Sequence, residues 1–252
     1  MLTLHNLTTG YGRTPISTSL NATLTPGTLT ALLGTNGAGK STLLRTLACF
    51  QPPLAGHITW QDTDLAQLNA RQLARTMSVV LTFKPEAEAL TAAEVVEMGR
   101  IPYATMLSGT TQADHQAVER ATQLAGITQF AHRPISTLSD GERQRVFIAK
   151  ALAQDTPIIL LDEPTAFLDF PSKIATMRLL SSLAHNAQKT ILLSTHDVEL
   201  ALHTVDNLWL LSQQSLTSGT PQQLAADGSI GRFFNTDGVQ FDAATMRFNI
   251  DG

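Results

Sequence analysis

Hydrophobic and polar positions along the chain change period several times, and each change predicts an element. Leu2 and Leu4 alternate with polar neighbours like a half-buried strand, and a second strand candidate runs from Ile16 to Leu24. Leu29 to Leu33 is an unbroken apolar run, which predicts a buried strand; Leu43, Leu44 and Leu47 then recur at helical spacing. Ile58 to Trp60 reads as a short strand, Leu68 to Arg75 as a short helix and Met77 to Leu81 as a third apolar strand. From Thr91 to Ala125 the pattern is helical, with Val95, Val96 and Met98 marking one helix and Val118, Ala121, Leu124 and Ala125 another. Val146, Ile148, Ala149 and Leu152 form the apolar face of a further helix, opened by residues 138–145. A buried strand at Ile158–Leu161, a helix around Ser172–Leu183 and a strand at Thr190–Ser194 follow, while residues 212–252 carry only weak strand and turn signals. Strands and helices alternating in this way predict an α/β fold with a mostly parallel sheet covered on both faces.

Composition narrows the picture. The 252 residues suit one α/β domain with an appended lobe, and 43% hydrophobic content supports a sizeable core. A net charge of −4 supplies no overall basic field, so nucleic acid is not expected as a partner. A single cysteine, Cys49, allows no internal disulfide and suits a reducing compartment. No basic-then-apolar leader opens the chain, and no apolar run approaches membrane-spanning length.

The chemistry is concentrated after the strand at 29–33. Gly34, Thr35, Asn36, Gly37, Ala38, Gly39, Lys40, Ser41 and Thr42 form a glycine-rich turn between a buried strand and a helix, the setting of a phosphate-binding loop. The glycines let successive N–H groups converge on one anion, and the helix start adds its positive dipole end. Lys40 is expected on the β- and γ-phosphates and the Ser41 hydroxyl on Mg²⁺, so the chain is expected to bind a nucleoside triphosphate. Tyr11, in a turn upstream, has the chemistry to stack on a base, although alone it would be an ordinary turn aromatic.

Asp162 and Glu163 sit at the carboxyl end of an apolar strand, the edge where α/β sheets bind ligands. Asp162 is placed to hold Mg²⁺ through its water shell and Glu163 to polarise an attacking water. His196, at the polar end of another strand, fits a second sensor of the γ-phosphate, and Asp169 alone reads as a helix-capping or turn acid. Leu138-Ser139-Asp140-Gly141-Glu142 combines a hydroxyl, a glycine N–H and a helix start into a second anion site. One nucleotide does not need two such helix starts on one subunit; a second subunit supplying the site in trans explains it.

With these motifs in this order, the chain resembles the ATP-binding-cassette (ABC) ATPases over nearly its whole length. Gly34–Thr42 matches their Walker A loop, Leu138–Gln144 the signature motif and Ile158–Glu163 Walker B with its catalytic glutamate. Ala166–Asp169 matches the D-loop, His196 the switch histidine and Tyr11 the stacking aromatic. The resemblance implies a P-loop NTPase core, with an N-terminal antiparallel β part, at residues 1–85 and 155–252, and an inserted helical signature lobe at 86–154. It implies ATP hydrolysis with ATP and Mg²⁺, and a head-to-tail homodimer with ATP sandwiched between one subunit's loop and the other's Ser139, Gly141 and Glu142; Asp169 belongs to the same nucleotide site.

Gly99-Arg100-Ile101-Pro102-Tyr103 and Asp162-Glu163-Pro164-Thr165-Ala166-Phe167-Leu168-Asp169 look most like the ATPases of importers for iron–siderophore complexes, haem and vitamin B12. The implied partners are two integral-membrane permease subunits and, indirectly, a substrate-binding protein, with the ATPase peripheral on the cytoplasmic face of the inner membrane. The competing reading is a soluble cassette ATPase without a permease, as in iron–sulfur cluster assembly. One position departs from the family: the usual glutamine after the third strand, a metal neighbour, is Thr82, whose hydroxyl can still coordinate. The segment from Thr82 to Tyr103 is expected to form the permease-facing surface, with Arg100 as an exposed contact.

Overall fold

The computed structural model describes residues 1–81, 89–104, 110–213 and 215–250. In chain order, β1 (Leu2–Tyr11) and β2 (Thr14–Leu24) form a hairpin, then β3 (Leu29–Leu33) leads into α1 (Lys40–Leu47). β4 (Ala55–Trp60), β5 (Thr63–Asp64), α2 (Ala70–Thr76) and β6 (Met77–Val80) follow. Next come α3 (Ala92–Glu97), α4 (Gln112–Leu124), α5 (Asp140–Ala153), β7 (Ile158–Leu161), α6 (Phe170–Asn186) and β8 (Thr190–Ser194). The chain ends with α7 (Val198–Thr204), β9 (Asn207–Leu211), β10 (Leu216–Gly219), α8 (Pro221–Ala226), α9 (Ser229–Phe234), β11 (Val239–Asp242) and β12 (Arg247–Ile250). These elements divide into one unit of residues 1–67 and 181–252 and another of residues 68–180.

The first unit holds two kinds of sheet. β2, β1, β4 and β5 form an antiparallel sheet in that order, with Leu2, Leu4 and Leu7 of β1 buried. β3 pairs in parallel with β8 on one side and β9 on the other, and β10 adds antiparallel to β9. All five residues of both β3 and β8 are buried, which is why both read as unbroken apolar runs rather than alternating ones. Leu43, Leu44 and Leu47 bury one side of α1, as their spacing predicts.

Within 212–252, residues 215–250 are more structured than their weak signals suggest. α8 opens with a capping box between Thr220 and Gln223 and has Pro221 in its first turn, a start signal legible in sequence. From the end of α9, Phe233 and Phe234 join Phe248 and Phe241 in a chain of edge-on and tilted ring contacts that supports the β11–β12 hairpin. The Phe248 N–H donates to the Glu199 carboxylate on α7 at 3.0 Å.

In the second unit β6 and β7 pair in parallel from Met77↔Ile158 to Val80↔Leu161. Helices α3, α4 and α5 each begin with a capping box: Thr91 with Glu94, Thr111 with Asp114, and Ser139 with Glu142. Arg100 differs from expectation. Its side chain is only 13% exposed: Nε donates to Asp114 at 2.8 Å and Nη1 to the Ala153 carbonyl at 2.7 Å, and the guanidinium lies 3.8 Å from the centre of the Tyr103 ring. Tyr103 in turn donates to the Gln154 carbonyl at 3.0 Å. Reversing the Arg100 charge therefore breaks an interior network, and the isolated protein would not stay intact as an exposed contact residue would allow. Its neighbour Ile101, 63% exposed, and Met98 are apolar residues that the described part of this segment presents to solvent.

Candidate functional site

In the first unit the phosphate-loop residues lie where β3 stops. Gly39 closes the loop with φ 98° at the N-cap of α1, a left-handed conformation, and a Cβ there would come within 2.7 Å of Ile16 Cγ2 and 3.0 Å of Ser17 Oγ. Gly37, at φ 79°, meets nothing within 4 Å, so that side of the loop is open. α1 has no side-chain cap, and left-handed residues entering a helix start make the backbone concavity that takes anions. Lys40 is buried, with Nζ donating to the Gly34 carbonyl at 2.8 Å, so its ammonium is held inside the loop. Ser41 is the second residue of α1, and Thr42 donates from Oγ1 to the Tyr11 hydroxyl at 3.4 Å, placing that half-exposed ring beside the helix start.

His196 reaches the same edge by a different strand. β3 and β8 are parallel neighbours with Leu32 opposite Ser194, and the Thr195 N–H donates to the Leu32 carbonyl at 3.3 Å. The Asp197 N–H donates to Thr195 Oγ1 at 3.0 Å, turning the chain so that exposed His196 projects at the strand end. The first unit thus brings together the loop, Tyr11 and the histidine.

The second unit assembles the carboxylates and the signature. The Asp162 N–H donates to the Val80 carbonyl at 2.8 Å, fixing that residue to the end of the β6–β7 pair. Glu163 follows at φ 50°, a left-handed conformation unusual for a glutamate, and its carbonyl accepts from Ala166 N–H at 3.0 Å. Asp169 acts as the cap that its sequence context suggested: Oδ1 accepts from Ser172 N–H at 3.1 Å, and the Ser172 contact lowers its pKa from the usual carboxylate value.

Ser139 caps α5, accepting at Oγ from Glu142 N–H at 3.2 Å, while its own N–H and hydroxyl donate to the Glu142 carboxylate at 2.9 and 3.0 Å. The Ser139 N–H leads in holding the Glu142 carboxyl below its usual pKa. Gly141 lies against Ser172, which a Cβ would approach to 3.2 Å. Thr82 lies outside the described residues. Among the described residues no three His, Cys, Asp or Glu side chains gather to hold a metal.

Gln144, read in sequence as the last residue of the signature motif, has its side-chain Nε2 buried without a hydrogen-bond partner. One residue escaped the sequence reading. Ser17, on β2, donates to the Ala38 carbonyl in the floor of the loop at 3.2 Å.

A parallel-rich α/β fold carrying a phosphate loop and a serine-capped signature helix defines a class of nucleotide-driven ATPases. Residues 17–166 match the ABC transporter family, and the chain belongs to it. It is 37% identical over 232 residues to the petrobactin import ATP-binding protein FpuD of Bacillus anthracis, covering 92% of this chain and 85% of that one. It is 38% identical over 246 residues to the hemin import ATP-binding protein HmuV of Bordetella parapertussis, covering 94% and 92%. Among solved structures, an ATP-binding cassette determined as a dimer in a post-hydrolysis state with ADP and Pi matches with a TM-score of 0.74 at 26% identity, covering 88% of this chain and 99% of that one. The chain is an ABC-type ATPase. No helix among its described residues is long and apolar enough to cross a membrane.

Proposed function

We propose that this chain is the ATP-hydrolysing subunit of an importer for an iron–siderophore, haem or cobalamin-type compound. It works with two separate integral-membrane permease subunits, fed by a substrate-binding protein, from the cytoplasmic face of the inner membrane. The observation that carries the cargo class is the pair of relatives named for petrobactin and hemin import, each matched over more than nine-tenths of this chain. The 86–154 lobe is the permease-facing part, where exposed Ile101 and Met98 suit an apolar contact.

Two chains pair head to tail, with ATP held by the loop of one and by Ser139, Gly141 and Glu142 of the other. Tyr11 stacks on the base, residues 34–42 hold the phosphates, and Asp169 supports the same nucleotide site. Ser41, Asp162 and Thr82 hold Mg²⁺, which neutralises charge on the phosphate oxygens when bound. Glu163 takes the proton of the attacking water and His196 holds the γ-phosphate end.

Disrupting the gene should abolish uptake of a labelled ferric siderophore or haem and leave uptake of unrelated nutrients normal; unchanged uptake of all three cargo types overturns the importer reading. Glu163→Gln should retain ATP binding, slow hydrolysis by about a hundredfold or more and accumulate an ATP-bound dimer. Near-normal hydrolysis would remove Glu163 from its role without touching the cargo assignment.

A further inference from the structure

We propose that Ser17 is a positioning residue for ATP: its hydroxyl fixes the Ala38–Gly39 peptide so that the Gly39 N–H faces the nucleotide rather than the sheet. Ser17 is fully buried on β2, far from the loop in sequence, and its Oγ donates to the Ala38 carbonyl at 3.2 Å. A trans peptide is planar, with its C=O and N–H pointing in opposite directions. Drawing the Ala38 oxygen down onto β2 therefore turns the Gly39 N–H away from β2, toward the open side of the loop.

Three further observations make this contact specific. Gly39 is pressed onto the same spot, since a Cβ there would meet Ile16 Cγ2 at 2.7 Å and Ser17 Oγ at 3.0 Å. Gly39, at φ 98° and without a Cβ, places no side-chain limit on the rotation of this peptide, and the Ser17 hydrogen bond supplies one. Thr9, the cross-strand partner of Ser17, is buried with its Oγ1 unpartnered, so of these two neighbouring hydroxyls it is Ser17 that holds the Ala38 carbonyl.

Ser17 reaches this place through a bulge. Leu7 pairs with Leu20 but Thr9 pairs with Ser17, so β2 spends one residue more than β1 over this interval, and Ser19 within it has φ 53°. Counting alternate positions back from Leu24 and Leu20 would turn Thr18 inward. The bulge turns Ser17 inward instead, delivering a hydroxyl beneath the phosphate loop.

The test uses the full chain, with a fluorescent ATP analogue for affinity and steady-state hydrolysis for rate. Ser17→Ala should weaken nucleotide binding and raise KM about fivefold, with kcat within twofold of the parent. Ser17→Thr, which keeps the hydroxyl, should restore both, and Thr9→Val should change neither. In protein labelled with ¹⁵N-glycine, the Gly39 amide should shift in Ser17→Ala and return in Ser17→Thr. If Ser17→Ala is insoluble, Ser17→Cys, a weaker donor of similar size, carries the same comparison. Unchanged affinity in the soluble variant overturns the proposal. So does a matched loss of kcat and Tm that Ser17→Thr fails to rescue, because that pattern marks a residue needed only for folding.

Discussion

The two helix starts that carry the nucleotide motifs are built on opposite plans. α1 begins from a left-handed glycine with no side-chain cap, and its charged side chain, Lys40, folds back inside the loop to Gly34. α5 begins from Ser139 in extended conformation, and Ser139 and Glu142 satisfy one another through three hydrogen bonds. The first start is shaped for an anion from outside; the second is already provided with one from its own sequence, the Glu142 carboxylate. A phosphate arriving at α5 must displace Glu142 from the Ser139 hydroxyl, whereas α1 has no capping side chain to displace. This difference suits a primary site that binds ATP on one chain and a secondary site that engages when a second chain supplies the nucleotide.

Lys40→Ala breaks the comparison at its strongest point. It removes the ammonium held in the loop, and the expected loss of ATP affinity is about a hundredfold, from truncating one buried charge-assisted contact. Titration with a fluorescent ATP analogue reads this directly. Affinity within threefold of the parent would mean that the loop backbone alone, without the lysine, holds the phosphates.

How much of this was legible in sequence depended on whether the signal was local. The strand–loop–helix at 29–47, the apolar run ending at Asp162 and the cap at Ser139 are all set by neighbours within a few residues, and each lies where its pattern placed it. Arg100 was misjudged because a charged residue among Ile101, Pro102 and Tyr103 looks solvent-facing, while its partners Asp114 and Ala153 come from elements distant in sequence. Ser17 was missed because period-two counting fails across a bulge, and nothing in Ser-Thr-Ser marks which residue is the extra one. Met98 and Leu124 fit helical spacing yet are 40% and 52% exposed, since periodicity finds a face without saying what covers it.

Ser139→Ala probes the other start and should behave differently. Loss of the cap hydroxyl should lower stability by about 1 kcal/mol, a fall in Tm of a few degrees for a domain of this size. ATP affinity of the single chain should be unchanged, while hydrolysis, which in the proposed head-to-tail pair draws on the partner's signature serine, should fall. Mixing Lys40→Ala with Ser139→Arg chains should restore one intact composite site of two. Mixed dimers that form yet hydrolyse no faster than either parent would count against sharing of sites between chains. A loss of monomer ATP affinity in Ser139→Ala would instead place the serine on its own chain's nucleotide.

The smallest effect separates the charge of Glu142 from its shape. Glu142→Gln keeps an acceptor for the Ser139 N–H, so the capping box survives and only the carboxylate's charge is lost. That carboxyl titrates below its usual value of 4.5 in the folded chain, chiefly because the Ser139 N–H and hydroxyl bond the charged form, with Arg133 at 3.5 Å adding to it. A depressed folded pKa means that this stabilisation is complete above the unfolded value and is lost as pH falls through the folded one. The Tm of the parent should therefore exceed that of Glu142→Gln at neutral pH, and the gap should close as pH falls below about 4.5. Subtracting the variant cancels the other capping acids, Glu94, Asp114 and Asp169, which titrate in the same range. A gap that stays constant from pH 7 to pH 3 would show that the carboxylate's charge adds nothing to this helix start. The phosphate competing for Ser139 would then displace an ordinary hydrogen-bond acceptor rather than a resident anion.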